Sequence, residues 1–392
     1  MAGAEIALAL PAIHGHAEVR AALARAVRSS TFPQSILLHG PEGVGKERLG
    51  LWIAMLLMCE QELEEPCGRC ASCRLGERLE HPDVHWFFPL PRPDASSPGK
   101  LREKLEDARA VELQRRRANP FQEPEYDRAP AHFLASIRTV QRLASLRPTS
   151  GQRMVFVIGD AELMVPQESS PEAANAFLKL LEEPPAGMTF ILTSSQPGAL
   201  LPTIRSRVPS IRVTSVPERE IHDLLTEADL VPADQRARIA RLSRGSVRRA
   251  LRLVTSGAGG LDADRKAGRD LLLAALANDS TARLGAAHDR RPAGARNDLV
   301  SQLDALAEWL RDLLAVASGA PERVTDPDAV PMLARAVDQR GVAVQGVMEG
   351  LERVSRAREL AQYNVNPQLI VADLLRKLQR DLLPATTTGG ST

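Results

Sequence analysis

The chain has 392 residues, of which 44% are hydrophobic and 25% charged, with a formal net charge of +1. That length exceeds one ordinary compact core, so two or three domains are expected, and the composition is that of a globular protein. The near-zero charge excludes a global pull towards nucleic acid or anionic lipid, 3% aromatic content argues against a base-stacking surface, and no apolar run reaches the roughly 20 residues that span a bilayer.

The apolar stretch Ile6 to Ile13 has no basic segment before it and leads straight into a predicted helix, so it does not read as a secretion signal; the expected location is the cytoplasm. Ala17 to Val27 carries apolar residues at helical spacing. Ser35 to His39 is a short apolar strand that runs into Gly40-Pro41-Glu42-Gly43-Val44-Gly45-Lys46, and Arg48 to Met58 continues as an apolar helix. Strand, glycine loop and helix form the setting in which G-x-x-x-x-G-K cradles phosphates, which makes Gly40, Gly43, Gly45 and Lys46 candidate nucleotide-binding residues. The next position departs from the pattern. Glu47 stands where a Ser or Thr hydroxyl normally holds the magnesium ion bridging the phosphates; a carboxylate there is able to bind a cation, but it also adds negative charge beside the phosphates.

Cys67-Gly68-Arg69-Cys70-Ala71-Ser72-Cys73 places three thiolates on a tight knuckle, and Cys59 completes a set of four. Four thiolates with no other obvious ligand favour a closed structural zinc site, with free buried cysteines as the alternative; catalytic zinc is disfavoured because no ligand position is left open. Residues 89–130 follow, rich in proline and carrying the mixed-charge run Lys100 to Arg117. Part of that run is compatible with an exposed helix, but nothing there builds a core, and the segment reads as a solvated, partly disordered insertion. Within it, Arg115-Arg116-Arg117 either touches DNA or lies on a solvated face.

Order resumes with a helix around Ala135 to Ser145, and the strand Met154 to Ile158 ends at Gly159-Asp160. In P-loop ATPases the acid at this strand end helps hold magnesium, and the residue after it is commonly a glutamate that polarises the attacking water. Here that residue is Ala161, and Glu162 is too far displaced for in-line attack. Asp160 is either a nucleotide-site residue or the cap of the following turn. Glu47 and Ala161 point the same way: efficient hydrolysis is not expected, while nucleotide binding stays open. A helix over Pro171 to Leu181 and the strand Thr189 to Thr193 complete an alternation that predicts a parallel sheet covered on both faces. Ser194-Ser195-Gln196-Pro197 forms a polar strand end suited to sensing a phosphate, with Ser194 the candidate nucleotide-site residue. Arg205 and Arg207 beyond it are either site residues or ordinary surface charges. A small helical region runs from Glu218 to Val254, where Gly245-Ser246-Val247-Arg248 opens an arginine-rich helix able to meet an anion. After the break at Ser256 to Gly260, the chain reads as helical to Leu383.

Together these residues resemble the clamp-loader branch of the AAA+ ATPases, the bacterial DNA polymerase III sliding-clamp loader. The most specific pieces are the glycine loop followed at once by the four-cysteine module, His81-Pro82-Asp83, the run Asn175 to Pro185, Leu201 to Arg207, and Asn364-Val365-Asn366-Pro367. Within that family the delta-prime branch is a better match than the gamma/tau motors. His-Pro-Asp after the cysteines, the altered positions 47 and 161, and a chain ending soon after its helical region all favour it.

The resemblance implies an α/β P-loop domain of the RecA-like, AAA+ type with a parallel sheet over 1–213, carrying the zinc module at 59–73 and the insertion at 89–130. A small helical lid over 214–258 and an all-α collar over 261–384 would follow, with a disordered tail at 385–392. By the same resemblance, Arg207 is the arginine of a Ser-Arg-Cys motif, here with Val208 in place of cysteine, and acts in trans as an arginine finger in a neighbouring motor subunit. Arg248 takes a second sensor position. The implied cofactors are structural zinc and ATP or ADP held without turnover. The implied partners are gamma/tau and delta subunits in a hetero-pentameric ring that places the sliding clamp on primed-template DNA, with no membrane. The chain would then be a non-catalytic subunit of a DNA-directed DNA polymerase holoenzyme. An active gamma/tau-type ATPase is the main alternative, and a zinc-containing DNA-binding protein on an inactive P-loop scaffold is a third reading.

Overall fold

The computed structural model describes residues 13–61, 64–121, 124, 126, 128–150, 153–164, 172–255, 257–277, 279–288, 296–325, 327–361 and 365–383. The chain divides into two compact units, Met1–Thr255 and Ser256–Thr392.

The first unit runs α1 (Ala17–Arg28), β1 (Ser35–His39), α2 (Lys46–Met58), α3 (Ala71–Glu77), β2 (Val84–Phe87), α4 (Pro98–Ala118), α5 (Leu134–Ala144) and β3 (Met154–Ile158). It continues with α6 (Glu172–Glu182), β4 (Met188–Ser194), the single turn α7 (Pro202–Arg205), β5 (Ser210–Arg212), α8 (Glu218–Glu227), α9 (Ala233–Ser243) and α10 (Val247–Thr255). All five strands are parallel, in the order β2-β3-β4-β1-β5. Successive strand residues face opposite sides. Val155 and Val157 of β3 therefore pack with Ile36, Leu38 and Ile191 beneath α1 and α2. Phe156 and Ile158 pack with Leu37, Phe190 and Leu192 beneath α5 and α6. Continuous aliphatic runs are what a sheet buried on both faces requires.

Two strands lie outside the sequence expectation. β2 is four residues long and half aromatic, so it lacks the aliphatic run that marks its neighbours; β5 is a three-residue edge strand with Ser210 and Arg212 exposed.

The insertion over 89–130 is also different from the solvated, partly disordered segment expected. Its base is closed by an antiparallel bridge between Leu90 and Ala131. Ser97 caps α4 by accepting from the Lys100 N–H, and Pro98 begins the first turn, where its missing N–H costs nothing. Leu105 is fully buried, and Leu101, Ala108 and Leu113 pack on the core face that holds Ile36 and Leu38. That apolar stripe is narrow and set among charges, which conceals it in the sequence. Residues 122, 123, 125 and 127 of the insertion lie outside the described residues.

Helices α8, α9 and α10 fall within the expected lid and share a small core of Val216, Ile221, Leu225, Ile239, Ala240 and Ala250.

The second unit is all-α: α11 (Gly257–Leu276), α12 (Ser280–His288), α13 (Arg296–Ala317), α14 (Val330–Arg340), α15 (Val344–Ala361) and α16 (Pro367–Leu382). It is helical from Gly257, inside the stretch read as a break, rather than from 261. Leu271, Leu306, Leu310, Val354, Leu374 and Leu378 are among its core residues. Trp309 joins α13 to α11: its indole N–H donates to the Arg265 carbonyl at 2.9 Å, and the Arg265 guanidinium lies 4.4 Å over its ring. Asn366 caps α16 by accepting from the Gln368 N–H at 2.9 Å, and Pro367 opens the helix. The expected tail at 385–392 lies outside the described residues.

Candidate functional site

The glycine loop leaves the end of β1 and is gripped from several sides. A Cβ on Gly40 would collide with the Val213 carbonyl, so the backbones can approach only with glycine there. Gly43 is left-handed at φ 76°, and a Cβ on it would overlap Ser246 Oγ and come within 2.7 Å of Arg248 Cβ. Gly45, at φ 94°, is the N-cap of α2, and no side chain caps that helix, so its first-turn amides are suited to an anion. Lys46 is buried and folds back over the loop. Its Nζ donates to the carbonyls of Gly40 at 3.0 Å and Pro41 at 2.8 Å, and to Ser195 Oγ at 2.9 Å. Burial lowers the Lys46 pKa below the usual lysine value, opposed by the carboxylates of Asp160 and Glu162.

Helix α10 meets the loop directly. The Arg248 N–H donates to the Gly43 carbonyl at 3.0 Å, and the Arg248 guanidinium pairs with Glu42 at 3.1 Å. From the other side His16 Nε2 donates to the Val44 carbonyl at 2.8 Å, with burial lowering the imidazole pKa. Ser194 is fully buried and its Oγ accepts from the Gln196 N–H at 3.1 Å. The hydroxyl beside Lys46 therefore belongs to Ser195, one residue beyond the one the sequence singles out.

Asp160, at the end of β3, has φ 43° and donates its N–H to Thr193 Oγ1 at 3.0 Å. Burial, and then the neighbouring Glu47 carboxylate, push its carboxyl up to about 7, against the pull of Arg248 and Lys46. Glu47 Oε2 accepts from the Trp86 indole N–H at 2.9 Å and lies 3.7 Å from the Arg116 guanidinium. Ala161 is fully buried. Glu162 Oε1 accepts from the backbone N–H groups of Ser195 at 2.8 Å and Gln196 at 3.1 Å, so this acid shapes the end of β4. The structure thus brings Gly40, Gly43, Gly45, Lys46, Asp160 and Arg248 together, with the Glu47 carboxylate in the first turn of α2 and the Ala161 methyl group directly after Asp160.

The four cysteines form a second cluster. Cys59 ends α2, Cys70 caps α3, and the four sulfurs all lie within 4.8 Å of one another. The Cys67 N–H donates to Cys59 Sγ at 3.5 Å, the Cys70 N–H to Cys67 Sγ at 3.3 Å, and the Cys73 N–H to Cys70 Sγ at 3.3 Å. Backbone N–H groups of Arg69 and Cys70 lower the Cys67 thiol to about 6, while burial pushes Cys73 up. Soft donors, convergent sulfurs and amide support for thiolates fit a metal ion.

Arg207 stands apart from the phosphate loop. It precedes β5, which runs parallel to β1, whereas the loop follows the end of β1. Its side chain is 39% exposed, and its guanidinium pairs with Glu182 at 2.9 Å and donates to the Thr203 carbonyl at 3.0 Å. Glu182 belongs to the Leu-Leu-Glu-Glu-Pro-Pro run, so two separate motifs meet there. The Arg115-Arg116-Arg117 triplet makes neither a solvated face nor a basic patch. Arg115 pairs with Glu112 at 2.8 Å, Arg116 with Glu112 at 2.8 Å and with Glu47, and Arg117 with Glu80 at 3.2 Å. Sequence reasoning missed His16, Trp86 and Arg116, of which only Arg116 carried any signal, as part of the arginine run; Ser195 was read as part of the polar strand end, with Ser194 singled out instead.

A parallel sheet in the order β2-β3-β4-β1-β5, with a glycine loop after β1 and a helical lid whose arginine bonds that loop, defines an AAA+ P-loop domain. The family model described as "DNA polymerase III, delta subunit" matches residues 15–217, and the chain belongs to that family. It is similar to DNA polymerase III subunit delta' of Escherichia coli, 26% identical over 358 residues, which cover 89% of this chain and 90% of that one. Similarity to subunit delta' of Yersinia pestis is 33% over 174 residues, covering 44% of this chain and 39% of the relative. DNA polymerase III subunit tau/gamma of Haemophilus influenzae is 26% identical over 246 residues, 61% of this chain and 29% of its own. The chain is thus of the delta-prime type and related to gamma/tau. Among the described residues no helix is long and apolar enough to cross a membrane.

Proposed function

We propose that this chain acts in the cytoplasm as the delta-prime subunit of a DNA polymerase III clamp loader. It would join gamma/tau and delta subunits in a hetero-pentameric ring that places the sliding clamp on primed-template DNA. The observation that carries the reading is at the end of β3: Ala161 is buried and Glu162 Oε1 is bound to the amides of Ser195 and Gln196, which supports a site that does not polarise a water for attack. Lys46, Arg248 and the first-turn amides of α2 would hold the phosphates of ATP or ADP, and Gly40, Gly43 and Gly45 let the backbone come close. Bound nucleotide supplies the phosphoryl groups; the chain's own residues orient them without turning them over.

Arg207 is the group offered outward. Pairing with Glu182 and the Thr203 carbonyl fixes its direction while leaving the guanidinium partly exposed. In trans it would stabilise the charge that develops during hydrolysis in the adjacent motor, an effect of roughly 10³ to 10⁵ in other P-loop enzymes. Cys59, Cys67, Cys70 and Cys73 would hold a structural zinc ion that fixes the segment between α2 and β2.

The test is Arg207→Ala in a complex reconstituted with gamma/tau and delta subunits on primed DNA. ATP turnover at the motor site facing this chain is expected to fall at least about a hundredfold, with clamp loading falling alongside. Unchanged turnover and loading would refute the role.

A further inference from the structure

Helix α4 reaches into the corner where a metal-dependent loop keeps its magnesium. Glu47 occupies the hydroxyl position in the first turn of α2, and its carboxylate is engaged from outside the loop. The Trp86 indole N–H donates to Oε2 at 2.9 Å, and the Arg116 guanidinium lies 3.7 Å from the same oxygen. On the remaining side a Cβ on Gly159 would come within 2.5 Å of Oε2, so the β3 backbone closes against it. Residue 47 therefore offers no hydroxyl to magnesium, and its Oε2 is already committed to an indole and a guanidinium.

Arg116 is firmly held. Its guanidinium sits 4.4 Å over the ring of Trp86 and 3.9 Å over that of Phe88. Its Nε donates to the buried Glu112 at 2.8 Å, and the side chain is only 15% exposed. The next residue, Arg117, ties the end of α4 to Glu80 and to the Leu79 carbonyl. A guanidinium fixed between two rings and a buried carboxylate is a preorganised positive charge, and it acts strongly where water is largely excluded.

We infer that Arg116 takes the electrostatic place of the divalent ion, neutralising Glu47 so that the loop can hold nucleotide phosphates without magnesium. Arg116 is a positioning residue in this scheme, acting through Glu47 rather than on the phosphates. The inference rests on the proposal that the loop holds nucleotide.

Binding of a fluorescent ATP analogue to the full chain tests it, measured with excess magnesium and after magnesium is removed by dialysis. No chelator is used, because one would also strip a metal ion from the thiolate cluster. The dissociation constants in the two buffers are expected to agree within about threefold. Arg116→Gln is expected to weaken binding at least about tenfold without magnesium, and Glu47→Thr/Arg116→Gln to bind only with magnesium. If wild-type affinity falls more than about tenfold when magnesium is removed, the inference fails and the nucleotide-holding proposal stands. No binding in either buffer would defeat that proposal and the inference with it. Should Arg116→Gln fail to fold, the wild-type comparison still decides.

Discussion

Replacing Gly43 by alanine tests the contact between the phosphate loop and the lid. A residue with a Cβ at φ 76° costs about 1 to 2 kcal/mol in strain. The new methyl group overlaps Ser246 Oγ, which can rotate away only by giving up its bond from the Arg249 N–H, a helix cap worth about 1 kcal/mol. Arg248 Cβ, 2.7 Å away, cannot rotate clear. Helix α10 must shift, which breaks the bond from the Arg248 N–H to the Gly43 carbonyl, worth roughly 1 kcal/mol. The total is about 3 to 4 kcal/mol. Gly45→Ala is the control, because φ is 94° there and nothing lies within 4 Å of the new Cβ, leaving only about 1 to 2 kcal/mol of strain. Urea unfolding followed by circular dichroism compares the two variants, and amide hydrogen exchange at Arg248 reports release of the lid. The reasoning is refuted if Gly43→Ala is as stable as Gly45→Ala, or if exchange at Arg248 is unchanged.

Cys73→Ser removes the one fully buried sulfur of the four; elemental analysis should show loss of one zinc per chain, and hydrogen exchange should rise over residues 64–79 while β1 and β3 stay protected. Retained metal would mean that the other three thiolates suffice. Asp83, fully buried, accepts from the Thr149 and Ser150 N–H groups at 2.6 and 2.7 Å and from the Ser150 hydroxyl at 2.6 Å. Burial raises its pKa, but these bonds outweigh it, so the folded value lies below the ordinary one. Its stabilisation is therefore complete above the unfolded carboxylate pKa of about 4 and is lost as pH falls through the folded value. Asp83→Asn should be roughly 3 kcal/mol less stable at neutral pH, with the gap closing in acid; a gap independent of pH would show that the charge contributes nothing.

What the sequence made legible follows from physical cause. Strands β1, β3 and β4 are aliphatic runs, two of them closed by glycine, and both faces of each are buried, so pattern and position agree. Strand β2 escaped because Trp86 and Phe87 replace the aliphatic run. The burial of helix α4, read as exposed if helical at all, escaped for a linked reason: its stripe of Leu101, Leu105 and Ala108 packs on the core face that includes Trp86 and Phe88. The departures at Glu47 and Ala161 were plain in the motif, but not where the Glu47 carboxylate goes, since Trp86 and Arg116 come from elements distant in the chain. Ser194 and Ser195 could not be told apart by sequence, because adjacent residues at a strand end point to opposite sides. Arg207 was legible as a motif residue, whereas its anchor Glu182 required the fold.

Steady-state ATP hydrolysis by the purified chain, with Lys46→Ala as the background, bears most directly on the claim that this subunit holds nucleotide without turning it over. The expected result is no turnover above the Lys46→Ala background. Turnover that Lys46→Ala abolishes would contradict it, and would mean that Glu47 and Ala161 leave a working motor.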